Sequence, residues 1–237
     1  MPDDALGAAM LDYVRGDYDG SCVHYDPETG EAWDANVESF YFAPPDEWSE
    51  SLRSLVDGLR TPVLDVGCGA GNHALAVQNR GTVVGFDASP RAVRAARERG
   101  VERAFVADMF RMPVASDRFK TAFVRGTQAA LASSRAELVS FLDALARATT
   151  ETGEAVVDSY DPADADGSHG HRPTDEAGVG RRTFRVEYRG RGLVGPRLDF
   201  RTFSPGELRA ACAETAWTVA EVTDGGDAGY YSARLQK

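Results

Sequence analysis

The residues whose types and spacing most clearly indicate a bound ligand lie between positions 61 and 71. Val63, Leu64 and Val66 are apolar and partly β-branched, which is typical of a buried parallel strand. Three glycines at alternate positions follow directly after this run. Because glycine has no Cβ, a turn of this composition lets the backbone approach a bound molecule closely. The pattern therefore predicts a ligand-binding loop after a core strand.

Three aspartates accompany the glycines, each at the carboxyl end of a predicted strand. Asp65 lies within the first run, Asp87 follows residues 82–86, and Asp108 follows residues 104–107. Open α/β sheets bind ligands outside the carboxyl ends of their strands. A single aspartate there is typically a helix cap or a turn residue. Three in register with a glycine-rich loop instead favour a ligand site, and a carboxylate offers two acceptors that match a vicinal diol.

The glycine spacing separates two kinds of nucleotide-binding loop. A dinucleotide-binding loop follows G-x-G-x-x-G, but counting from Gly67 the third position falls on Asn72. Here the third glycine is Gly71, so the pattern from Asp65 reads Asp-x-Gly-x-Gly-x-Gly. With the two later carboxylates, this resembles the first motif of the class I S-adenosylmethionine-dependent methyltransferases. The resemblance covers residues 60–160 well and the later elements more loosely.

This resemblance implies S-adenosylmethionine as the cofactor and S-adenosylhomocysteine as the product. It implies that Asp87 accepts hydrogen bonds from both ribose hydroxyls, and that Asp108 and Met109 lie at the adenine edge. Asp65 would hold the glycine loop or the amino group of the methionine moiety. Many family members carry an aspartate where this chain has Lys120, a departure that concerns local packing. The expected cofactor-binding residues are Asp65, Gly67, Cys68, Gly69, Gly71, Asp87, Ala88, Asp108, Met109, Arg125 and Gly126.

Methyl transfer from a sulfonium is an in-line displacement, so the protein mainly aligns the reactants and excludes water. A carboxylate or soft acceptor needs no base, whereas a phenol, hydroxyl or ammonium must lose a proton. No metal is expected to take part. For His24, as for His169 and His171, an ordinary surface position is the alternative interpretation. The candidate catalytic residues are His24, Tyr25, Asp158 and Tyr160, and the candidate substrate-binding residues are Thr127, Gln128 and Tyr160.

The absence of two motifs from the sequence disfavours nucleic acid as the methyl acceptor. Enzymes that methylate amino groups of nucleic acids carry an Asn/Asp-Pro-Pro-aromatic signature after the fourth strand, whereas residues 125–128 read Arg-Gly-Thr-Gln. The cysteine nucleophile of cytosine-C5 enzymes is also missing there. The sequence therefore predicts methylation of oxygen, nitrogen or carbon on a small molecule. Three alternatives stay open, namely an NAD-dependent oxidoreductase, transfer of an aminopropyl or other group from an adenosyl donor, and a non-catalytic adenosyl-ligand sensor or interaction module.

The elements that must position these residues alternate between strands and helices. Such alternation predicts a doubly wound, mostly parallel seven-stranded sheet of the Rossmann-like type, with an antiparallel closing strand and an added antiparallel ribbon. Ser89-Pro90 is a strong helix start. Predicted helices cover 47–59, 72–79, 91–99, 135–148 and 205–213; predicted strands cover 63–66, 82–86, 104–107, 121–124, 155–157, 183–188, 198–203, 218–222 and 230–235, the last two around a turn at 224–226.

The remaining segments are expected to flank this domain. Residues 1–46 are interpreted as an irregular lid or cap, and residues 47–237 as the cofactor-binding domain. Within it, residues 161–203 form a loop plus ribbon insertion near the substrate side. The aromatic cluster at 40–42 is either a plug packed on the sheet edge or a wall around the substrate.

Composition sets further bounds. A chain of 237 residues with 43% hydrophobic content is long enough for one α/β domain with a core. No apolar stretch approaches the ~20 residues of a membrane span, and the first residues lack a signal-peptide pattern, so a soluble cytoplasmic protein is expected. The three cysteines are widely separated, which disfavours a disulfide framework or a structural zinc site.

The charge balance disfavours nucleic acid as a partner. The net charge is -11, and Lys120 and Lys237 are the sequence's only lysines, so no phosphate-tracking surface is indicated. An acidic, lysine-poor surface is a feature of halophilic proteins, which gives the hypothesis of a high-salt habitat. An ordinary acidic cytosolic protein is the alternative. The oligomeric state does not follow from the sequence.

Overall fold

A computed structural model describes residues 4–164, 169–225 and 229–237. Its helices are α1 (Ala5–Arg15), α2 (Val37–Tyr41), α3 (Glu50–Asp57), α4 (Asn72–Gln78), α5 (Pro90–Glu98), α6 (Arg135–Ala148) and α7 (Pro205–Cys212). Its strands are β1 (Cys22–Tyr25), β2 (Ala32–Asp34), β3 (Val63–Val66), β4 (Val83–Asp87), β5 (Ala104–Val106), β6 (Phe119–Val124), β7 (Thr149–Tyr160), β8 (His171–Pro173), β9 (Val179–Tyr188), β10 (Leu193–Phe203), β11 (Thr218–Asp224) and β12 (Tyr230–Gln236). Short 3-10 turns cover Met109–Arg111, Gln128–Leu131 and Arg189–Arg191.

The larger sheet has seven strands in the order β11-β12-β7-β6-β3-β4-β5. The pairs β3/β6, β6/β7 and β4/β5 are parallel, whereas β12 runs antiparallel to both β7 and β11. The predicted doubly wound, Rossmann-like sheet with its antiparallel closing strand is confirmed. Helices α5, α6 and α7 begin within one residue of the predicted positions, because Ser89, Ser134 and Ser204 each cap a helix through the hydroxyl oxygen. The helix predicted from 47 begins later, at Glu50.

A second sheet contains the predicted ribbon, with strands ordered β10-β9-β1-β2 and β8 paired to β9. The expectation that residues 1–46 are irregular is wrong, since they contain α1, β1, β2 and α2. A turn after Tyr25 joins β1 to β2, and in it Asp26 donates its backbone N–H to the carbonyl of Glu31 (2.8 Å). Strands of three or four residues are too short to show a clear alternation of apolar and polar side chains.

The loop of the predicted loop plus ribbon insertion, between 161 and the ribbon strand predicted from 183, is shorter than expected, because β8 lies inside it and β9 begins at Val179. Residues 165–168 of that loop, Gly226 of the predicted turn and residues 1–3 lie outside the described part of the chain. Within the described ranges, no helix is both long and apolar enough to cross a bilayer. The same ranges contain no group of three or more His, Cys, Asp or Glu side chains arranged to hold a metal ion.

The chain divides into two compact units. The first comprises Met1–Thr61, Gly67–Asp108 and Phe184–Leu198, and the second Pro62–Val66, Met109–Thr183 and Asp199–Lys237. In the first unit α1 packs on α5, with Met10, Leu11, Ala70, Ala92 and Ala95 buried between them.

In the second unit α6 packs beside β7 and buries Phe141, Leu142 and Leu145. The indole N–H of Trp217 donates to the carbonyl of Leu142 (2.8 Å). This bond satisfies the polar atom of a large buried side chain.

Candidate active site

The glycine loop, residues 67–71, lies in the first unit and is held by backbone hydrogen bonds. The N–H groups of Gly67 and Cys68 both donate to the carbonyl of Phe86 in β4 (2.9 and 3.0 Å). Gly71 caps α4 with a left-handed φ of 77°, and a Cβ there would lie 2.5 Å from Cγ2 of Val101. The early position of the third glycine therefore has a packing reason, because only glycine fits this close approach.

Asp87 is bonded directly to this loop. Its Oδ2 accepts the N–H of Gly69 (2.9 Å) and its Oδ1 accepts the N–H of Ser89 (2.8 Å). Burial raises the pKa of Asp87, the two backbone N–H groups lower it, and the nearby Asp4 carboxylate raises it further. Each carboxylate oxygen can accept a second hydrogen bond. Asp87 is therefore a fixed acceptor at the end of β4.

The raised pKa of Asp87 has a consequence for stability that can be measured. Because its proton is bound more tightly in the folded state, the contribution of Asp87 to the free energy of unfolding falls as the pH rises from about 4 through the raised pKa. We expect the wild type to lose stability relative to Asp87→Ala across this window. Urea unfolding of both proteins between about pH 4 and 7 measures the difference in their free energies of unfolding. A difference that does not change with pH would contradict the raised pKa of Asp87.

Side chains from the amino-terminal segment cover the glycine loop. A Cβ on Gly69 would lie 3.4 Å from Cδ1 of Tyr41 and 3.6 Å from Cε of Met10. Arg99 donates through Nη1 to the carbonyls of Tyr41 and Ala70 (3.1 and 2.9 Å), which joins this segment to the loop. The guanidinium of Arg99 also lies 4.7 Å from the ring centre of Phe42.

The aromatic cluster at 40–42 is thus divided among three roles. Tyr41 contacts the glycine loop, and Phe42 stacks on Tyr13 with ring centres 4.1 Å apart. Phe40 is 62% exposed. Because the three residues have different surroundings, neither a plug on the sheet edge nor a wall around the substrate describes all of them.

The other predicted cofactor residues lie within a strand or shortly after one. Asp65 is 4% exposed within β3, and Cys68 is buried in the glycine loop. Ala88 is exposed between Asp87 and Ser89. Asp108 is exposed after β5, and the buried Met109 opens a 3-10 turn.

A second group of predicted residues meets in the second unit, at the turn after β6. Asp158 of β7 is 1% exposed and accepts the N–H groups of Gly126 (2.8 Å) and Thr127 (2.6 Å). The hydroxyl of Tyr230 donates to Oδ2 of Asp158 and accepts from Nη1 of Arg125 (2.8 Å). Burial raises the pKa of Asp158, while Arg125, Tyr230 and the two N–H groups lower it. Burial and then Asp158 raise the pKa of Tyr230.

Tyr160 extends this group through ring contacts. Its ring centre lies 5.2 Å from that of Tyr230 and 4.5 Å from that of His171. His171 is only 8% exposed, so the surface interpretation is wrong for it, whereas His169 is exposed as that interpretation expects. Gln128 opens a 3-10 turn, and its side-chain amide points back to the carbonyl of Gly126 (3.4 Å).

His24 and Tyr25 belong to the small sheet of the first unit. The ring of His24 lies 4.6 Å from Phe184 and 5.7 Å from Trp33, measured between ring centres. The guanidinium of Arg185 lies 4.5 Å from the ring centre of Tyr25. His24 is therefore a half-buried strand residue. Lys120, the departure noted from the family pattern, is exposed on β6.

Asp4, Ser89 and Tyr230 were not among the predicted site residues, although Ser89-Pro90 was predicted to start a helix. Asp4 and Ser89 are hydrogen-bonded to each other, and Tyr230 joins Arg125 to Asp158. An aspartate directly before the apolar run of α1 is a helix-start signal, so Asp4 could have been found as a cap. Tyr230 has no local signal, because its partners Arg125 and Asp158 lie 105 and 72 positions earlier in the chain.

Part of the chain matches a known family of sequences. Residues 63–153 match the sequence profile of a family described as a methyltransferase domain. No curated protein sequence matches the chain.

Solved structures resemble most of the chain or nearly all of it. An S-adenosylmethionine-dependent methyltransferase from Bacteroides fragilis, in complex with S-adenosyl-L-homocysteine, aligns with a TM-score of 0.81 at 23% identity, covering 99% of this chain and 94% of that one. An amino pentose methyltransferase from Micromonospora echinaspora, solved with bound cofactor, aligns with a TM-score of 0.60 at 21% identity over 81% and 93% of the chains. A sugar N-methyltransferase from a Streptoalloteichus species gives 0.58 at 22% identity over 81% and 87%.

The chain therefore has the Rossmann-like fold of the class I S-adenosylmethionine-dependent methyltransferases. Its segment 63–153 matches the methyltransferase domain itself, so the resemblance inferred from the glycine loop and the later carboxylates is confirmed.

Proposed function

We propose that this chain binds S-adenosylmethionine at the glycine loop and transfers its methyl group to a small-molecule acceptor. The observation that carries the proposal is the hydrogen bond between Asp87 and Gly69, which fixes a carboxylate beside a loop in which every second residue is a glycine with a left-handed φ. Such a carboxylate suits the two ribose hydroxyls of the cofactor. The cofactor residues expected from the sequence, including Arg125 and Gly126, form part of this proposal.

A small molecule is the acceptor class that the sequence favours. The net charge of -11 disfavours a polyanionic partner. Two similar folds belong to an amino pentose methyltransferase and a sugar N-methyltransferase, which are also small-molecule enzymes. Within this class Thr127, Gln128 and Tyr160 are the proposed substrate-binding residues. His24, Tyr25, Asp158 and Tyr160 are the candidates for proton transfer, and the amino-terminal segment is the proposed lid.

Asp158 is the weakest of these candidates as a base. Both of its oxygens accept hydrogen bonds and its side chain is buried. A group in this position holds its neighbours in place more readily than it takes a proton from an acceptor.

Replacing Asp87 by alanine tests the cofactor site. We expect Asp87→Ala to weaken S-adenosylhomocysteine binding by about 1–3 kcal/mol, or about 5- to 150-fold, because charge-assisted hydrogen bonds to the ribose are lost. Isothermal titration calorimetry measures the affinity, and circular dichroism confirms that the variant is folded.

The matched control is Asp34→Ala. Asp34 also accepts a backbone N–H, that of Asn36, but at the end of β2. Its replacement is expected to leave the affinity unchanged. Equal affinities of wild type and folded Asp87→Ala would refute the site, and binding of NADH without binding of S-adenosylhomocysteine would favour an oxidoreductase.

A further inference from the structure

The side chain of Asp4 joins two helices of the first unit. It caps α1, since Oδ1 accepts the N–H of Gly7 (3.1 Å). Its other oxygen, Oδ2, accepts the hydroxyl proton of Ser89 (2.7 Å), a residue 85 positions later. One carboxylate therefore fixes both the start of α1 and the residue before α5.

Ser89 is hydrogen-bonded to Asp87 as well as to Asp4. Its hydroxyl oxygen accepts the N–H of Ala92 (2.9 Å) and so caps α5, while its own N–H donates to Oδ1 of Asp87 (2.8 Å). Asp87 in turn accepts the N–H of Gly69. A continuous chain of hydrogen bonds thus runs from Asp4 through Ser89 and Asp87 to the glycine loop.

Helix α1 also packs closely against Ser89 and α5. A Cβ on Gly7 would lie 2.1 Å from Oγ of Ser89, so the backbone of α1 is pressed against this hydroxyl. At the other end of the helix pair, Glu98 accepts hydrogen bonds from Arg15 (2.6 Å) and Arg94 (2.9 Å). Helix α1 is therefore anchored to α5 at both ends.

We propose that Asp4 is a positioning residue for the cofactor, acting through Ser89 on Asp87. The inference rests on the proposed function, because it takes Asp87 as the acceptor for the ribose hydroxyls. With Asp4 present, the single hydroxyl proton of Ser89 is committed to Oδ2 of Asp4. Without it, that proton is free to turn towards other acceptors, and the segment that holds Asp87 loses a fixed contact. Helix α1, through its capping residue Asp4, then helps to position the carboxylate that binds the cofactor.

A double-mutant cycle tests the coupling, with S-adenosylhomocysteine as the probe and calorimetric affinity as the readout. Asp4→Ala is expected to weaken binding about 3- to 10-fold in the wild-type background and by less than about 2-fold in the Asp87→Ala background. Residues that act independently would give the same factor in both backgrounds. Equal factors would overturn the proposal.

Asp4→Asn separates capping from coupling. The asparagine oxygen still caps α1 at Gly7, but the amide group facing Ser89 is a donor and cannot take its hydroxyl proton. We expect wild-type urea unfolding for this variant together with the weakened binding of Asp4→Ala. Wild-type affinity in Asp4→Asn would show that capping alone matters, and so would overturn the coupling.

Ser49→Ala is the control for loss of a helix cap in the same unit. Ser49 caps α3 by accepting the N–H of Leu52 (3.2 Å). Its replacement should lower stability and leave the affinity unchanged, whereas Ser89→Ala should lower both. If the wild type fails to bind S-adenosylhomocysteine, the proposed function itself is overturned. If the wild type binds and the Asp4 variants bind equally well, only the role of Asp4 is overturned.

Discussion

Gly69→Val is expected to abolish binding of S-adenosylhomocysteine, with a loss of affinity greater than about 100-fold (about 2.7 kcal/mol). Gly69 has a φ of 53°, a left-handed conformation that a β-branched residue adopts only with strain of about 1–2 kcal/mol. Its N–H is the donor that fixes Asp87, so relaxation of the loop also moves the proposed ribose acceptor. A branched side chain would in addition press on Tyr41 and Met10, which lie 3.4 and 3.6 Å from the added Cβ.

Calorimetric titration measures this loss, and two variants show its origin. Gly192 has a similar φ of 62° with no atom within 4 Å of an added Cβ, so Gly192→Val should be strained but bind normally. Gly69→Ala adds only the Cβ, which makes ordinary contacts, and should give an intermediate affinity. Wild-type affinity in Gly69→Val would show that the glycine loop is not the binding site.

The parts of the fold that followed from the sequence are those with local signals. Ser89-Pro90 predicted the start of α5, and the structure shows Ser89 capping it through Ala92. The strands that precede Gly67 and Asp87 were visible because a buried parallel strand is a continuous apolar run between turn residues. These signals are complete within about ten residues, so a single sequence reveals them.

The parts that did not follow depend on distant partners. Asp4 has a local capping signal, but its bond to Ser89 spans 85 positions. The bond between Tyr230 and Asp158 spans 72 positions. His171 lies in a stretch rich in turn residues, yet pairing of β8 with β9 and contact with Tyr160 bury it. Such pairings are set by tertiary packing, which overrides local preference.

Asp158 shows how distant partners change the role inferred for a residue from its local sequence. As a carboxylate at a strand end it was a candidate base, and the structure surrounds it with the donors of Gly126, Thr127 and Tyr230. Thr127 has a φ of 62° and Gly126 one of 88°, so the turn after β6 contains two successive left-handed residues. The carboxylate accepts hydrogen bonds from both of these residues, and it thereby stabilises a turn that carries proposed substrate-binding groups.

Asp158→Ala is therefore expected to lower the free energy of unfolding by about 3 kcal/mol. The buried N–H of Thr127 loses its partner, and the N–H of Gly126 and the hydroxyl of Tyr230 lose theirs, at about 1–3 kcal/mol for each donor that stays buried. Asp158→Asn keeps the volume and one acceptor oxygen, so about half of this loss is expected. Tyr230→Phe removes a single hydroxyl and should lower stability by about 1 kcal/mol.

Urea unfolding measures these differences, with Asp161→Ala as the control, because the Asp161 carboxylate accepts the N–H of Ala163 in an exposed turn. That variant should stay within about 0.5 kcal/mol of the wild type. If the loss of unfolding free energy is largest for Asp158→Ala, smaller for Asp158→Asn and smallest for Tyr230→Phe, Asp158 stabilises the turn. If Asp158→Asn instead unfolds like the wild type and has lost methyl transfer to an acceptor that the wild type methylates, the carboxylate acts as a base. The burial of Asp158 and its three bonded donors favour the first outcome.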